Sequence, residues 1–519
     1  MVSEKTSFVG NVVIRVDASI QIGSGHVMRC LTLAEGLREQ GAEVLFVCRE
    51  LSGNLNALIA AKGFDLCCLP AADSQSAELN WNSHAGWLEV HWQQDAKETK
   101  ALLKEQAASF DWLIVDHYAL DTNWETELGS IVDKIMVIDD LADRPHACEL
   151  LLDQNFYLDQ TGRYKKLVPA NCTRLLGPAY ALLRSEFPQK RRSLRLRTGA
   201  VNNILVFFGG VDATNETAKV VNAIASLERS NITVDVIVGT GNPHRQKIED
   251  LCGQVENTRF HCQASNMAEL MANADLAIGG GGTVTWERFC LGLPALVVSV
   301  AGNQKAIAED CGKVGCQIFL GDSDAVDEAL FAAALQTVLH SPSLLMSVSA
   351  QAIKVVDGKG LNRVIQWLCP LDIKLRKAVS ADCRNIYDWR NAEETRRHIF
   401  DKEIIPYESH QQWFANSLAN QDRIILIGEY DDQPVGVLRY DVRGKSALIS
   451  VYLVPGPQPA GVGSQLICAG NRWLRAEHPE IMQIDAEILG QNVASIKAFE
   501  KADYKLHHLT YCKDLFCEE

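Results

Sequence analysis

The chain opens with apolar and polar positions in alternation between two periods. VVIRV (12–16), VLFVC (44–48), WLIVD (112–116) and IMVID (135–139) are short, apolar and rich in β-branched residues, and each predicts a buried strand. Amphipathic stretches of helical period separate them. Strands alternating with helices predict a parallel sheet covered on both faces. The segment between 70 and 98, richer in Ser, Asn, Trp and His, fits neither period. The pattern restarts after residue 198. NILVFFGG (203–210), VDVIVG (234–239), ADLAIGG (274–280) and PALVVSV (294–300) predict a second such sheet, with a helix over VDATNETAKVV. Two halves, each opening on a strand and a glycine-bearing turn, predict two Rossmann-like lobes facing a cleft, with the ligand at the carboxyl ends of the strands.

Past Cys369-Pro370 the style changes. RIILIGEYDDQPVGVLRYDV reads as an antiparallel hairpin turning at Asp-Asp-Gln-Pro, 431–434. ALISVYLV (447–454) is a further strand before a glycine-bearing loop and a helix. The chain is therefore α/β in two lobes, 1–190 and 198–368, followed by an α+β domain over 371–519. The 519-residue length accommodates three domains of ordinary size.

Composition narrows the function classes. A net charge of −15 speaks against a nucleic-acid partner. No apolar run reaches the ~20 residues of a membrane span. The N-terminal MVSEKTSFVG lacks the layout of a secretion signal, so the expected location is cytoplasmic and no membrane partner is expected. The 16 cysteines, among them Cys48, Cys67, Cys68, Cys290 and Cys369, sit mostly in apolar runs with no CxxC pair. His84 and His91 form no HExxH-type pair, and no metal is expected. The basic cluster KRRSLRLR (190–197) reads as a solvated linker between lobes.

Three segments carry chemistry. In RVDASIQIGSGHVMRC (15–30), a strand feeds a turn holding Gly23, Ser24 and Gly25, and a helix starts near His26. Such a turn offers backbone N–H groups to an anion, and a histidine beside it titrates near neutrality and can act as a general base. The alternative is an ordinary β–α turn with a histidine near its helix. In IGGGGTVTWERFCLGLPAL (278–296), the glycines 279–282 end a strand and a helix begins near Thr283. That loop can cradle a diphosphate, and Glu287, one helical turn on, can accept both hydroxyls of a ribose or simply favour the helix dipole. In the last domain, Gln458-x-x-Gly461-x-Gly463 again places amides at a helix N-terminus.

These segments resemble known families. The two lobes resemble the GT-B architecture of nucleotide-sugar glycosyltransferases, and the GGGGTVTWE…GLPAL block resembles the UDP-binding segment of the lipid II-forming N-acetylglucosaminyltransferase. RVDASIQIGSGHVMRCLTLA, DHY (116–118), IDD (138–140), GPAYALLRSEF (177–187) and GNQ (302–304) resemble the UDP-sugar hydrolases of pseudaminic acid biosynthesis, over residues 10–365. These release UDP from UDP-2,4-diacetamido-2,4,6-trideoxy-β-L-altropyranose. The resemblance implies that His26 activates the water attacking the sugar C1, with inversion and without a metal. It implies that Gly25, Gly281, Gly282 and Thr283 meet the diphosphate, that Glu287 takes the ribose, and that the backbone from Ala264 to Met267 reads the uracil edge. Asn303 and Gln304 join the substrate contacts, and Asp17, His117 and Tyr118 are candidate sugar contacts. For Asp17 the alternative is a carboxylate fixing its own turn; for His117 and Tyr118, packing at a strand end.

The last domain resembles the GNAT N-acetyltransferases, through Q-x-x-G-x-G and through NVASIKAFEKADY (492–504). The resemblance implies acetyl-CoA as co-substrate, held by Leu453, Val454, Gln458, Gly461, Val462, Gly463, Ser464 and Asn492. Phe499 stands where a general-acid tyrosine is frequent, and Asp503-Tyr504 replaces the usual Gly-Phe. The WRNAEETRRHIF segment, with Trp389, Arg390 and Asn391, resembles the acceptor side of sugar-type acetyltransferases, and Trp389 reads equally as core. Glu487 is a candidate base or an ordinary strand carboxylate. Together the resemblances imply 4-N-acetylation of a UDP-4-amino-4,6-dideoxy-N-acetyl-altrosamine followed by release of UDP, both on one chain. The alternatives are a GT-B glycosyltransferase fused to an acetyltransferase, and an inactive nucleotide-sugar sensor.

Overall fold

The computed structural model describes residues 10–72, 84–106, 108–227, 231–369, 371–459, 461–502 and 504–507. Most of the expected leader-free N-terminus and Asp503 lie outside them. The chain divides into two compact units, residues 7–368 and the chain from Cys369 onward.

In the first unit, β1 (Asn11–Val16), β2 (Glu43–Arg49), β3 (Asp65–Leu69), β4 (Phe110–Asp116), β5 (Val132–Ile138), β6 (Leu150–Asp153) and β7 (Thr173–Leu176) form a wholly parallel sheet in the order β3-β2-β1-β4-β5-β6-β7. The second lobe repeats the winding. β8 (Asn203–Phe207), β9 (Thr233–Val238), β10 (Thr258–Cys262), β11 (Leu276–Gly280), β12 (Ala295–Ser299) and β13 (Ile318–Asp322) run parallel in the order β10-β9-β8-β11-β12-β13. The inner strands are apolar on both faces, as helices on both sides of a parallel sheet require. Their order places β1 beside β4 and β8 beside β11, so each lobe has its topological switch point between those strands.

The short strands β3, β7, β10 and β13 carry weaker period signals, because each is a sheet-edge strand with less apolar surface to bury. The helix expected over 211–221 begins only at Glu216. Asp212 accepts hydrogen bonds from the Glu216 and Thr217 amides and the Thr217 hydroxyl, which holds residues 211–215 as a loop. The basic cluster is not simply solvated. Arg191 donates to Cys290 O and Ile353 O, Arg195 to Asn273 O, and Arg197 to Met271 O and Ala274 O. Guanidinium groups at helix C-termini satisfy carbonyls that have no intrahelical donor, so this linker clamps the second lobe. The helix Gly360–Leu368 returns to the first lobe, where Trp112 Nε1 donates to Leu368 O at 3.0 Å.

In the second unit, β14 (Lys374–Lys377), β15 (Arg423–Tyr430), β16 (Gln433–Arg443), β17 (Ser446–Leu453) and β18 (Gln483–Ala486) lie in that order. Pairing is antiparallel up to β17 and parallel between β17 and β18. The expected hairpin turns more tightly than Asp-Asp-Gln-Pro: Asp431 and Asp432, with φ of 53° and 55°, make the turn, a backbone that short polar side chains tolerate, and Gln433 and Pro434 already pair with β15. No single helix among the described residues is long and apolar enough to cross a membrane.

Candidate active sites

The first site grows from the ends of β1 and β4. The helix Gly25–Glu39 starts directly after the glycine turn, and its N-cap Ser24 makes no side-chain cap, so the first-turn amides are not satisfied by that residue. His26 enters on the first turn. Its Nδ1 lies 2.6 Å from Asp116 Oδ1, at the end of β4. Asp116 is fully buried, which alone would raise its pKa, but Arg29 and His26 hold it far below the ordinary carboxylate range. Such a carboxylate only accepts, so the imidazole proton is on Nδ1 and the basic lone pair is on Nε2. Nε2 has no hydrogen-bond partner among the described residues. Arg29 grips Asp116 with Nε at 2.6 Å and Nη2 at 2.7 Å, and reaches Asp140 with Nη1 at 2.7 Å. Tyr118 donates to Asp140 at 2.5 Å and lays its ring edge-on to His26 at 4.6 Å. Trp87 stacks on Tyr118 at 5.3 Å, and His84 packs against both. Trp87 and Arg29 carry no signal as site residues in the sequence, His84 reads there only as a histidine without a metal-binding partner, and Asp140 only as part of IDD; Trp87 and His84 lie in the segment that fits neither period.

The expected sugar contacts separate. Tyr118 lies against the His26 ring, whereas Asp17 and His117 are sealed beneath it. Asp17 accepts from the Arg49 amide and pairs with Arg15, each at 2.7 Å. Burial would raise its pKa, but Arg15 and His117 hold it far below the ordinary range. Burial lowers the pKa of His117, whose Nδ1 accepts from Ala119 N–H and whose Nε2 stands 3.3 Å from Asp17 Oδ2. Arg15 and Arg49 share Asp95, which also accepts from Trp124 Nε1, so a buried ionic network stands behind the switch point.

The second lobe presents backbone rather than charge. Gly281 and Gly282 follow β11, and Thr283 caps the short helix Val284–Cys290 without a side-chain bond. Gln304 Oε1 accepts from the Gly281 and Val300 amides at 3.2 and 3.3 Å, while Asn303 is exposed. Glu287 has its pKa raised by burial, opposed by Arg184, which donates to it at 3.2 Å from the first lobe's last segment. Gly25, Arg29, Arg184, Thr283 and Glu287 line one small cavity, so the two lobes' turns converge there. On the β8 side, Ser24 Oγ lies 4.0 Å from where a Cβ on Gly210 would stand. Residues 264–266 are at least partly exposed, and Met267 is buried as the first residue of a helix.

In the second unit, Leu453, Val454, Gln458, Gly461, Val462, Gly463, Ser464 and Asn492 all line one cavity of about 1060 Å³. Gly461 caps the helix Val462–Glu477 at φ 83°, a conformation that glycine takes without strain. Pairing between β17 and β18 stops at Ile449↔Ala486, so Ser450–Leu453 has no β18 partner and leaves backbone groups for an extended amide chain. Asn492 caps the helix Val493–Lys501, accepting from Ser495 N–H at 3.1 Å. Phe499, Glu487 and Arg390 also line the cavity, and Tyr504 packs edge-on to Phe499. Trp389 packs with a small core cluster and Asn391 ties down Ile405, whereas Arg390, Glu394, Thr395, His398, Ile399 and Phe400 of this expected acceptor segment line the cavity. Arg439 and Tyr452, on β16 and β17, line it too and were not singled out; outward strand positions look alike in sequence. The surfaces present fit a coenzyme A thioester, with an amide-bearing helix start for its pyrophosphate and a strand gap for its arm. Among the described residues no group of three His, Cys, Asp or Glu side chains is placed to hold a metal ion.

Residues 203–360 match the glycosyltransferase family 28 C-terminal domain, and residues 383–504 match the acetyltransferase (GNAT) family. The chain is 27% identical over 309 residues to a UDP-2,4-diacetamido-2,4,6-trideoxy-beta-L-altropyranose hydrolase of Campylobacter jejuni, covering 59% of this chain and 98% of that protein. It is 22% identical to the uncharacterized protein MJ1062 of Methanocaldococcus jannaschii, across 95% of this chain and 96% of the other. Among solved structures, MurG of Acinetobacter baumannii is 14% identical, with a TM-score of 0.49 over 69% of this chain and 99% of that one. The chain is thus a homologue, over part of its length, of the Campylobacter hydrolase, and it joins a glycosyltransferase family 28 C-terminal domain to a GNAT acetyltransferase domain.

Proposed function

We propose that the chain is a bifunctional, cytoplasmic enzyme of pseudaminic acid biosynthesis. The second unit acetylates the 4-amino group of a UDP-4-amino-4,6-dideoxy-N-acetyl-altrosamine. The first unit hydrolyses the resulting UDP-2,4-diacetamido-2,4,6-trideoxy-β-L-altrose. The observation that carries the hydrolase is the His26–Asp116 pair, at 2.6 Å, beside the cavity where both glycine turns converge.

In the hydrolytic step, Nε2 of His26 takes a proton from water as the water oxygen bonds to the sugar C1. The C1–O bond to UDP breaks with inversion, and the electron pair leaves on the diphosphate. Asp116 stabilises the imidazolium so formed. Amides of Gly25, Gly281, Gly282 and Thr283 meet the diphosphate, Glu287 exchanges Arg184 for the ribose hydroxyls, and Asn303 and Gln304 complete the contacts. Tyr118 borders the sugar. In the acetyl transfer, the amine attacks the thioester carbonyl and coenzyme A leaves as thiol. Acetyl-CoA supplies the acyl group, and the loop from Gln458 to Ser464 holds its pyrophosphate.

The test is a mass-spectrometric time course on the purified protein with the UDP-linked 4-amino sugar, with and without acetyl-CoA. The expected result is a gain of one acetyl group, followed by UDP and free diacetamido sugar only when acetyl-CoA is present. Acetylation without any UDP release would favour the glycosyltransferase alternative, which the family 28 match also suits. Absence of both products overturns the proposal.

A further inference from the structure

Arg288, next to the expected ribose carboxylate, is 2% exposed. The other buried arginines among the described residues all touch carboxylates: Arg15 meets Asp17 and Asp95, Arg29 meets Asp116 and Asp140, and Arg49 meets Asp95 and Glu98. Arg288 has no carboxylate within ion-pair distance among the described residues. Nη1 donates to Gly280 O at 3.1 Å and Nη2 to Thr285 Oγ1 at 3.0 Å, while Nε has no partner. Burial pulls its pKa down to about 10, against the pull of Cys311 and Glu287. A buried cation without a counter-charge is costly unless something compensates it.

The compensation is legible in the peptide that Arg288 holds. The carbonyl of the Gly280–Gly281 peptide takes the guanidinium. The amide at the other end, Gly281 N–H, donates to Gln304 Oε1 at 3.2 Å. One peptide plane therefore carries a cation on its acceptor end and presents its donor end to an oxygen. A cation on the carbonyl polarises the unit and strengthens the N–H as a donor. The Gln304 amide oxygen, which also accepts from Val300 N–H, marks an acceptor position at the glycine turn that a phosphate oxygen can take over.

We propose that Arg288 is a positioning residue for the diphosphate: it locks the Gly280–Gly281 peptide with its N–H presented to a phosphate oxygen and supplies the positive potential that the uncharged glycine turn lacks. The anion missing from the surroundings of Arg288 is the ligand's. This rests on the reading that the second lobe binds UDP.

Calorimetric titration of the full chain with UDP and, separately, with uridine tests it on wild type, R288M and R288K. R288M should bind UDP about tenfold more weakly and uridine within about twofold of wild type, with R288K between. The ligand-free melting temperature of R288M should equal or exceed that of wild type, because an unpaired buried charge is removed. Equal weakening of UDP and uridine indicates a merely structural role and overturns the proposal, as does unchanged UDP binding. If R288M fails to fold, R288K decides: an unchanged ratio of UDP to uridine affinity overturns it. Wild type that binds neither ligand overturns the UDP-site reading and this inference with it, whereas wild-type binding with unaltered variants overturns the inference alone.

Discussion

The two lobes of the first unit share a winding order but end their strands differently. In the first lobe, β1, β4, β5 and β6 run into Asp17, Asp116, Asp139 and Asp153, and these carboxylates are buried among Arg15, Arg29, Arg144 and Arg163. In the second lobe, β8, β9 and β11 run into Gly209, Gly239 and Gly280, with backbone packed on backbone: a Cβ on Gly239 would stand 2.4 Å from Gly210 O. One lobe fixes a side chain by charge; the other exposes amides by removing side chains. The same topology therefore presents a charge-held imidazole in one lobe and bare backbone amides in the other, and strand-end residue type decides which.

That contrast is broken most severely at the charged lobe. His26→Ala should lower acceptor-free UDP release by about a hundred- to ten-thousandfold, the range for a general base, with the circular dichroism spectrum unchanged. Asp116→Ala should also destabilise the protein by about 3–5 kcal/mol in urea unfolding, because Arg29 loses its main partner, and a variant as stable as wild type would refute the network. The glycine lobe should break instead by addition. A Cβ on Gly279 would stand 2.2 Å from Phe207 O, so Gly279→Ala should cost about 1–3 kcal/mol of stability by the same measurement.

Glu287→Gln sharpens the contrast at a charge within the glycine lobe. It should weaken uridine and UDP alike, by about tenfold in calorimetry, whereas loss for UDP alone would place Glu287 at the phosphates. The smallest effect concerns pH. Burial, with Asp140 nearby, raises Asp153 to about 7 against the Asn155 amide and Arg163. A raised folded pKa contributes stability that is present below the unfolded value of ~4 and is lost as pH rises through about 7. Melting temperature of wild type relative to Asp153→Asn should therefore fall between about pH 4 and pH 8, and parallel curves would remove this assignment.

Much of this was readable along the chain. His26 beside a glycine turn, Glu287 one turn past another, and Gln458 to Ser464 ahead of a helix are local patterns, set by neighbours in sequence. Asp116 was visible only as part of DHY, and its partner lies 90 residues away. In the described part of the segment around Trp87, His84 and Trp87 pack on Tyr118 while Leu88 and Val90 join the lobe's core, so no single face carries a period.

The sequence by itself determined the fold class, the two αβ series, the hairpin domain and the glycine turns, because backbone propensity and hydrophobic period act over a few residues. Only the tertiary structure decided that Asp116 faces His26, that Arg184 reaches Glu287 from the other lobe, that Asp17 and His117 turn inward to a buried network, and that Arg288 pairs with no carboxylate among the described residues. Those facts depend on which strands lie side by side, and charge pairing inside a low-dielectric core is fixed by spatial distance, which spacing along the chain does not encode.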